Sequence, residues 1–97
     1  MKPSEALQLY RHEIRRIVEQ NDARNPRVFG SSVRGGDTER SDLDLLVDPI
    51  DGKTTLISLA QIQLEIESLT GVQVDMATPM ALHERYRRQV FDEAVPV

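Results

Sequence analysis

Apolar residues along the chain change their period several times, and each change marks an element. Leu7, Tyr10, Ile14, Ile17 and Val18 recur at helical spacing behind Pro3 and Ser4, which predicts a first helix with Ser4 as its N-cap. The stripe stops in "NDARNP", residues 21–26, a run of turn-favouring residues. Arg27-Val28-Phe29 reads as a short strand that ends on Gly30. Residues 31–41 are polar and glycine-containing, a turn with room for one helical turn. Residues 42–48 predict the next strand, closed by Pro49 and Asp51-Gly52. Leu56, Leu59, Ile62, Ile66 and Leu69 predict a helix over 54–70 that Gly71 ends. Residues 72–76 alternate and read as a third strand. Thr78 and Pro79 then open a last helix whose inner face carries Leu82, Tyr86 and Val90.

The order helix, strand, turn, strand, helix, strand, helix predicts an α/β (α+β) fold, a small mixed three-stranded sheet flanked by helices. The connection between the first two strands is too short for a crossover helix, so they are expected to pair antiparallel. The third follows a long helix and is expected to lie parallel to the second. At 97 residues the chain has room for one core, hence a single domain over 1–97.

Composition narrows the function more than the fold. An apolar share of 39% with 29% charged residues belongs to a globular protein rather than a disordered tail. The net charge of −4 predicts no direct nucleic-acid binding, and four aromatic residues are too few for a base-stacking platform. Without cysteine there are no disulfides and no thiolate metal sites. No run of about 18 apolar residues occurs and no signal-peptide core opens the chain, so the expected location is cytoplasmic, with no membrane partner.

The predicted strand 42–48 poses the chemical question. Side chains alternate faces along a strand, so Asp42 and Asp44 project to one side, roughly 6 to 7 Å apart, while Leu43, Leu45 and Val47 point to the other. Two like charges so placed raise each other's pKa unless a cation lies between them. Oxygen-only ligands with open positions suit Mg²⁺. Asp75, on the third strand, joins the pair if that strand lies beside the second. Three acids suffice for two metal ions about 4 Å apart, the arrangement of in-line phosphoryl or nucleotidyl transfer. An isolated Asp-x-Asp more often decorates the wet face of an edge strand. This pair is not isolated.

Gly30 and Ser31 stand ahead of it in a turn whose backbone can approach a ligand closely and whose hydroxyl and amides can hold phosphate oxygens. Arg34 extends the turn, either as a phosphate ligand or as a brace against a nearby acid. The sequence is not a P-loop. Gly30 and Gly35 have the required spacing, but Gly36-Asp37 follows where Lys and Ser or Thr belong, and the apparent tail Gly52-Lys53-Thr54 has Val47 where its first glycine belongs.

The stretch "VFGSSVRGGDTERSDLDLLVD", with the Asp of "VQVDM" on the next strand, resembles the minimal nucleotidyltransferases of the DNA polymerase β-like superfamily. The resemblance implies the nucleotidyltransferase fold. It implies Gly30 and Ser31 against the triphosphate of ATP, and Asp42, Asp44 and Asp75 on two Mg²⁺ ions. Ser32-Val33 departs from the bulky apolar residue and Ala that relatives often carry. No acceptor-binding domain is expected within these 97 residues, and in this the sequence is similar to the MntA-like antitoxins of HEPN/MNT toxin–antitoxin pairs. That likeness implies AMP transfer from ATP to a tyrosine of a HEPN toxin, within a hetero-oligomer. An antitoxin that neutralises by binding alone and a stand-alone enzyme acting on a small molecule are the alternatives.

His83, Arg85, Arg87 and Arg88 make the terminal helix basic, which reads first as a solvated face and second as a docking or triphosphate-steering patch. Tyr10 and Tyr86 fall on apolar stripes and are expected in the core rather than as acceptors. His12 is expected at the surface, and neither histidine has a nucleophile nearby to serve as its base.

Overall fold

The computed structural model describes all residues, Met1–Val97. The elements are α1 (Pro3–Gln20), β1 (Ala23–Phe29), α2 (Ser31–Arg34), β2 (Leu43–Pro49), α3 (Leu56–Thr70), β3 (Val74–Ala77), a 3-10 turn (Pro79–Ala81), α4 (Glu84–Glu93) and β4 (Val95–Pro96). They build one mixed sheet in the order β3-β2-β1-β4, with β1 antiparallel to β2 and β4 and with β2 parallel to β3. The sheet therefore has four strands, one more than the three expected. β4 is two residues long and holds a proline, tolerated at an edge where its missing N–H faces no partner.

Residues that share helical or strand spacing meet in one core. Ala6, Leu7, Ile14 and Val18 of α1 and Ile62 and Ile66 of α3 pack on Val28, Leu43, Leu45, Val47 and Val74 of the sheet. Leu46 is as buried as its neighbours but lies outside that cluster. It points to the opposite face, the face of Asp44, and the 3-10 turn packs against β2. Arg87 braces this turn by donating to the carbonyls of Pro79 (2.9 Å) and Leu82 (3.1 Å). One of the basic residues of the terminal helix thus serves the fold.

Several boundaries differ from the sequence reading, each for a local reason. β1 begins at Ala23 rather than Arg27, because Asn25 takes a positive φ of 53° and absorbs an irregularity in the β1–β2 register beside Pro26. Lys2, not Ser4, caps α1. Ser4 instead donates its N–H (2.8 Å) and its hydroxyl (3.1 Å) to Asp37, tying the loop before β2 to the start of α1. The bond from the Ser4 amide leads the effects that hold the Asp37 carboxyl below its ordinary range. Thr78-Pro79 opens the 3-10 turn rather than the last helix, and α4 starts after His83, whose Nδ1 accepts from the Arg85 amide. Tyr86 is 53% exposed instead of buried, and Leu56 is 85% exposed despite its place on the α3 stripe. Tyr10 is half-buried against the core and His12 is at the surface.

Candidate active site

The β2–β3 ladder places Asp44 directly beside Asp75, with Leu43 beside Val74 on the core side. Asp42 immediately precedes β2 and lies two residues from Asp44, hence on the same side. The main chain there is fixed by the Leu43 amide donating to the Gln73 carbonyl at 2.8 Å. All three acids are thus brought to one end of the parallel strand pair. Asp42 and Asp75 are exposed and Asp44 is half-buried.

Asp44 carries the perturbation this arrangement predicts. Burial pushes its carboxyl up to about 6, and the charges of Asp75 and Asp42 push in the same direction, against the pull of Arg34. Asp48 is the internal comparison, four residues along the same face. Burial raises it too, but hydrogen bonds from Arg27 (3.0 Å) and Asn25 (2.9 Å) and the Arg27 charge bring it below the ordinary carboxylate range. One acid of the strand is compensated within the chain. The other is not.

A folded-state pKa above the unfolded value gives a definite sign. Below about pH 3 Asp44 is protonated in both states and contributes nothing. As pH rises through the interval from 3.8 to about 6 the unfolded chain ionises first, and the folded state loses stability. Asp44 is partly open to solvent, so the discounted effect above pH 6 is about 1 kcal/mol. Asp44→Asn should therefore raise the metal-free melting temperature at pH 7 by about 4 to 8 °C. The difference should vanish by about pH 3. Paired thermal melts of the two proteins at about pH 3 and pH 7 check it, and a less stable variant at pH 7 would mean that Asp44 supports the fold.

Gly30 sits against Asp44. It has φ 79° and ψ −153°, a combination essentially reserved for glycine, and a Cβ built there would lie 2.1 Å from Asp44 Oδ2. The turn it starts is tight. The Gly30 carbonyl accepts from the Val33 and Arg34 amides, and the Ser31 carbonyl accepts from Gly35 and Gly36. The amides of Ser31 and Ser32 open this turn without an intrahelical acceptor. Arg34 leaves its far end and pairs with Glu93 at 2.7 Å, which makes it a brace in this state. Glu93, at the last position of α4, also adds to the negative field on Asp44. The sequence reading missed it, since one glutamate at a helix end carries no spacing signal.

The donor set fits a hard divalent cation. It consists of carboxylate oxygens only, and Asp44 is an acid with no ion pair or hydrogen bond of its own in the chain. The acids do not close into a three-ligand cluster by themselves. Mg²⁺ takes one or two protein carboxylates and completes its shell with water and substrate phosphate. Nor do they line a closed cavity. A cleft of about 460 Å³ runs between Leu7, Arg11, Val28 and Val33, and none of the three acids borders it.

A family model described as the nucleotidyltransferase domain matches residues 11–97. The chain belongs to this family and is a nucleotidyltransferase. Protein adenylyltransferase MntA of Thermococcus cleftensis is 36% identical over 70 residues, covering 72% of this chain and 70% of that one. A solved structure provisionally described as a minimal nucleotidyltransferase superposes with a TM-score of 0.86 at 40% identity, over 97% of this chain and 95% of the other. A solved complex of a tri-AMPylated Shewanella oneidensis HEPN toxin with an MNT antitoxin contains the same fold. It matches with a TM-score of 0.68 at 20% identity, over 92% of this chain and 69% of that one.

Proposed function

We propose that the chain is a cytoplasmic antitoxin that transfers AMP from ATP to a hydroxyl of a partner HEPN toxin, a tyrosine hydroxyl, and so silences it. One observation carries the reading: three carboxylates gathered at one end of a strand pair, the half-buried one, Asp44, against a glycine whose missing side chain leaves room beside it. In this reading Asp42, Asp44 and Asp75 would hold Mg²⁺, with Asp42 and Asp44 on the triphosphate side. Bound there, Mg²⁺ balances phosphate charge and lowers the pKa of the attacking hydroxyl. The amides and hydroxyl of the Gly30-Ser31 turn fix the phosphates, which sets the α-phosphorus in line with the acceptor. The acceptor oxygen bonds to that phosphorus, the bridge to the β-phosphate breaks, pyrophosphate leaves and the hydroxyl proton passes to solvent. An acceptor presented on another protein suits acids that lie outside any closed cavity.

Ser31→Ala should weaken ATP binding in the presence of Mg²⁺ by about 1 to 2 kcal/mol, the scale of one hydrogen bond to a charged group. Calorimetric titration reads this as a loss of roughly 5- to 30-fold in Kd. An unchanged Kd would place the phosphates away from the turn.

Neutralisation by binding alone is the second reading, and the outer face of α3 favours a protein contact. Leu56, Ile57, Ala60, Gln61, Leu64 and Ser68 present no charge to solvent, with Ile57 81% exposed. The two readings separate on persistence. A toxin silenced by covalent transfer stays silent after the antitoxin is stripped away, whereas an occluded toxin recovers as its inhibitor is diluted.

A further inference from the structure

Glu93 is the acid that the nucleotidyltransferase reading leaves without a task. Its side chain is 16% exposed, its Oε1 lies 2.7 Å from Arg34 Nη1, and the arginine it holds is 61% exposed. Arg34 occupies the last position of the phosphate-side turn, two residues beyond Ser32. Both charges act on Asp44, Arg34 lowering and Glu93 raising its carboxyl, so the pair stands beside the acids rather than on a remote surface. Arg34 makes no other ion pair or hydrogen bond through its side chain. A guanidinium at this position is the one cation of the turn, yet it is neutralised by a carboxylate from the other end of the chain.

We propose that Glu93 is a positioning residue that parks Arg34, and that an incoming triphosphate must take the guanidinium from it. The inference rests on the assignment of the triphosphate to the Gly30-Ser31 turn. The physical argument is competition. A triphosphate offers the fork of Arg34 several anionic oxygens in the bidentate geometry that guanidinium favours, where Glu93 engages one nitrogen. While the pair is closed, the site presents four carboxylates and no free cation to a polyanion, which weakens binding of nucleotide that arrives without a metal ion. Once Arg34 turns to phosphate, the end of α4 loses its one ion pair to α2. The remaining ties of that helix are the buried Val90, the bonds of Arg87 to the 3-10 turn and the short strand β4 that follows it.

The test is calorimetric titration of the full chain with ATP and Mg²⁺, and separately with inorganic tripolyphosphate, for the parent, Glu93→Gln, Arg34→Ala and the double variant. Glu93→Gln should bind both probes about 3- to 10-fold more tightly, and Arg34→Ala about 10-fold more weakly, as expected for a charge-assisted bond gained or lost. The double variant should match Arg34→Ala, because Glu93 acts through Arg34. Glu93→Asp, which keeps the charge, should fall between parent and Gln variant. A Glu93→Gln protein that binds as the parent does, or more weakly, overturns the proposal. So does a tightening that survives in the Arg34→Ala background, which would mark Glu93 as a direct source of field. A parent that binds neither probe overturns the nucleotide site and this inference together. A parent that binds with no response at Glu93 overturns this inference alone.

Discussion

Asp42→Asn and Asp44→Asn each take nucleotidyl transfer to the background rate, a loss on the order of 10³-fold or more, while the fold survives. The loss follows from the role of the pair: with one carboxylate gone, the site would no longer hold the cation that offsets charge on the departing pyrophosphate, a deficit of several kcal/mol in the barrier. Survival of the fold follows from where the acids lie. Their neighbours Leu43, Leu45 and Val47 are fully buried on the core side, whereas Asp42 is exposed and Asp44 has no hydrogen-bond partner to lose. Far-ultraviolet circular dichroism, melting temperature and a transfer assay on the same preparations separate the two effects. Loss of activity together with loss of fold would make the acids structural. Retained activity in either variant would remove it from the site.

Replacing Gly30 should be the most damaging change outside the acids. Gly30→Ala places a Cβ 2.1 Å from Asp44 Oδ2 at a φ of 79°, so the backbone or the carboxylate must move. The backbone strain alone costs about 1 to 3 kcal/mol. We expect a lowered melting temperature and nucleotide affinity reduced at least about 10-fold, with Gly30→Val worse on both counts. Ser32→Ala serves as the control in the same turn, because its hydroxyl makes only a long bond, 3.4 Å, to the Phe29 carbonyl. Normal ATP affinity in the Gly30→Ala protein would show that the triphosphate lies elsewhere.

How much of this was legible in the sequence depended on the range of the interaction that decides each feature. The meeting of Asp44 with Asp75 was legible because two strands joined by a helix of this length lie parallel, and strand alternation then fixes the face. The glycine turn was legible because few residues accept its backbone angles. β4 was not, because two residues ending in proline carry no periodic signal, and only the edge of β1 makes them a strand. The first half of β1 was hidden behind Asn25-Pro26, which reads as a turn until the neighbouring strand holds it in a sheet. Leu56 and Tyr86 show the limit of periodicity, which finds a stripe but not whether a partner element covers it. The pairing of Arg34 with Glu93 spans 59 residues, and no local pattern announces it.

The central claim is that silencing is a covalent act of these acids on a partner protein. Intact-mass spectrometry of the HEPN toxin, after exposure to the chain with ATP and Mg²⁺, tests it most directly. The account predicts that the toxin gains the mass of one or more AMP units. It also predicts that the Asp42→Asn/Asp44→Asn double variant leaves the mass unchanged and fails to protect cells. An unmodified toxin that is nonetheless silenced, or a double variant that protects as well as the parent, would contradict it.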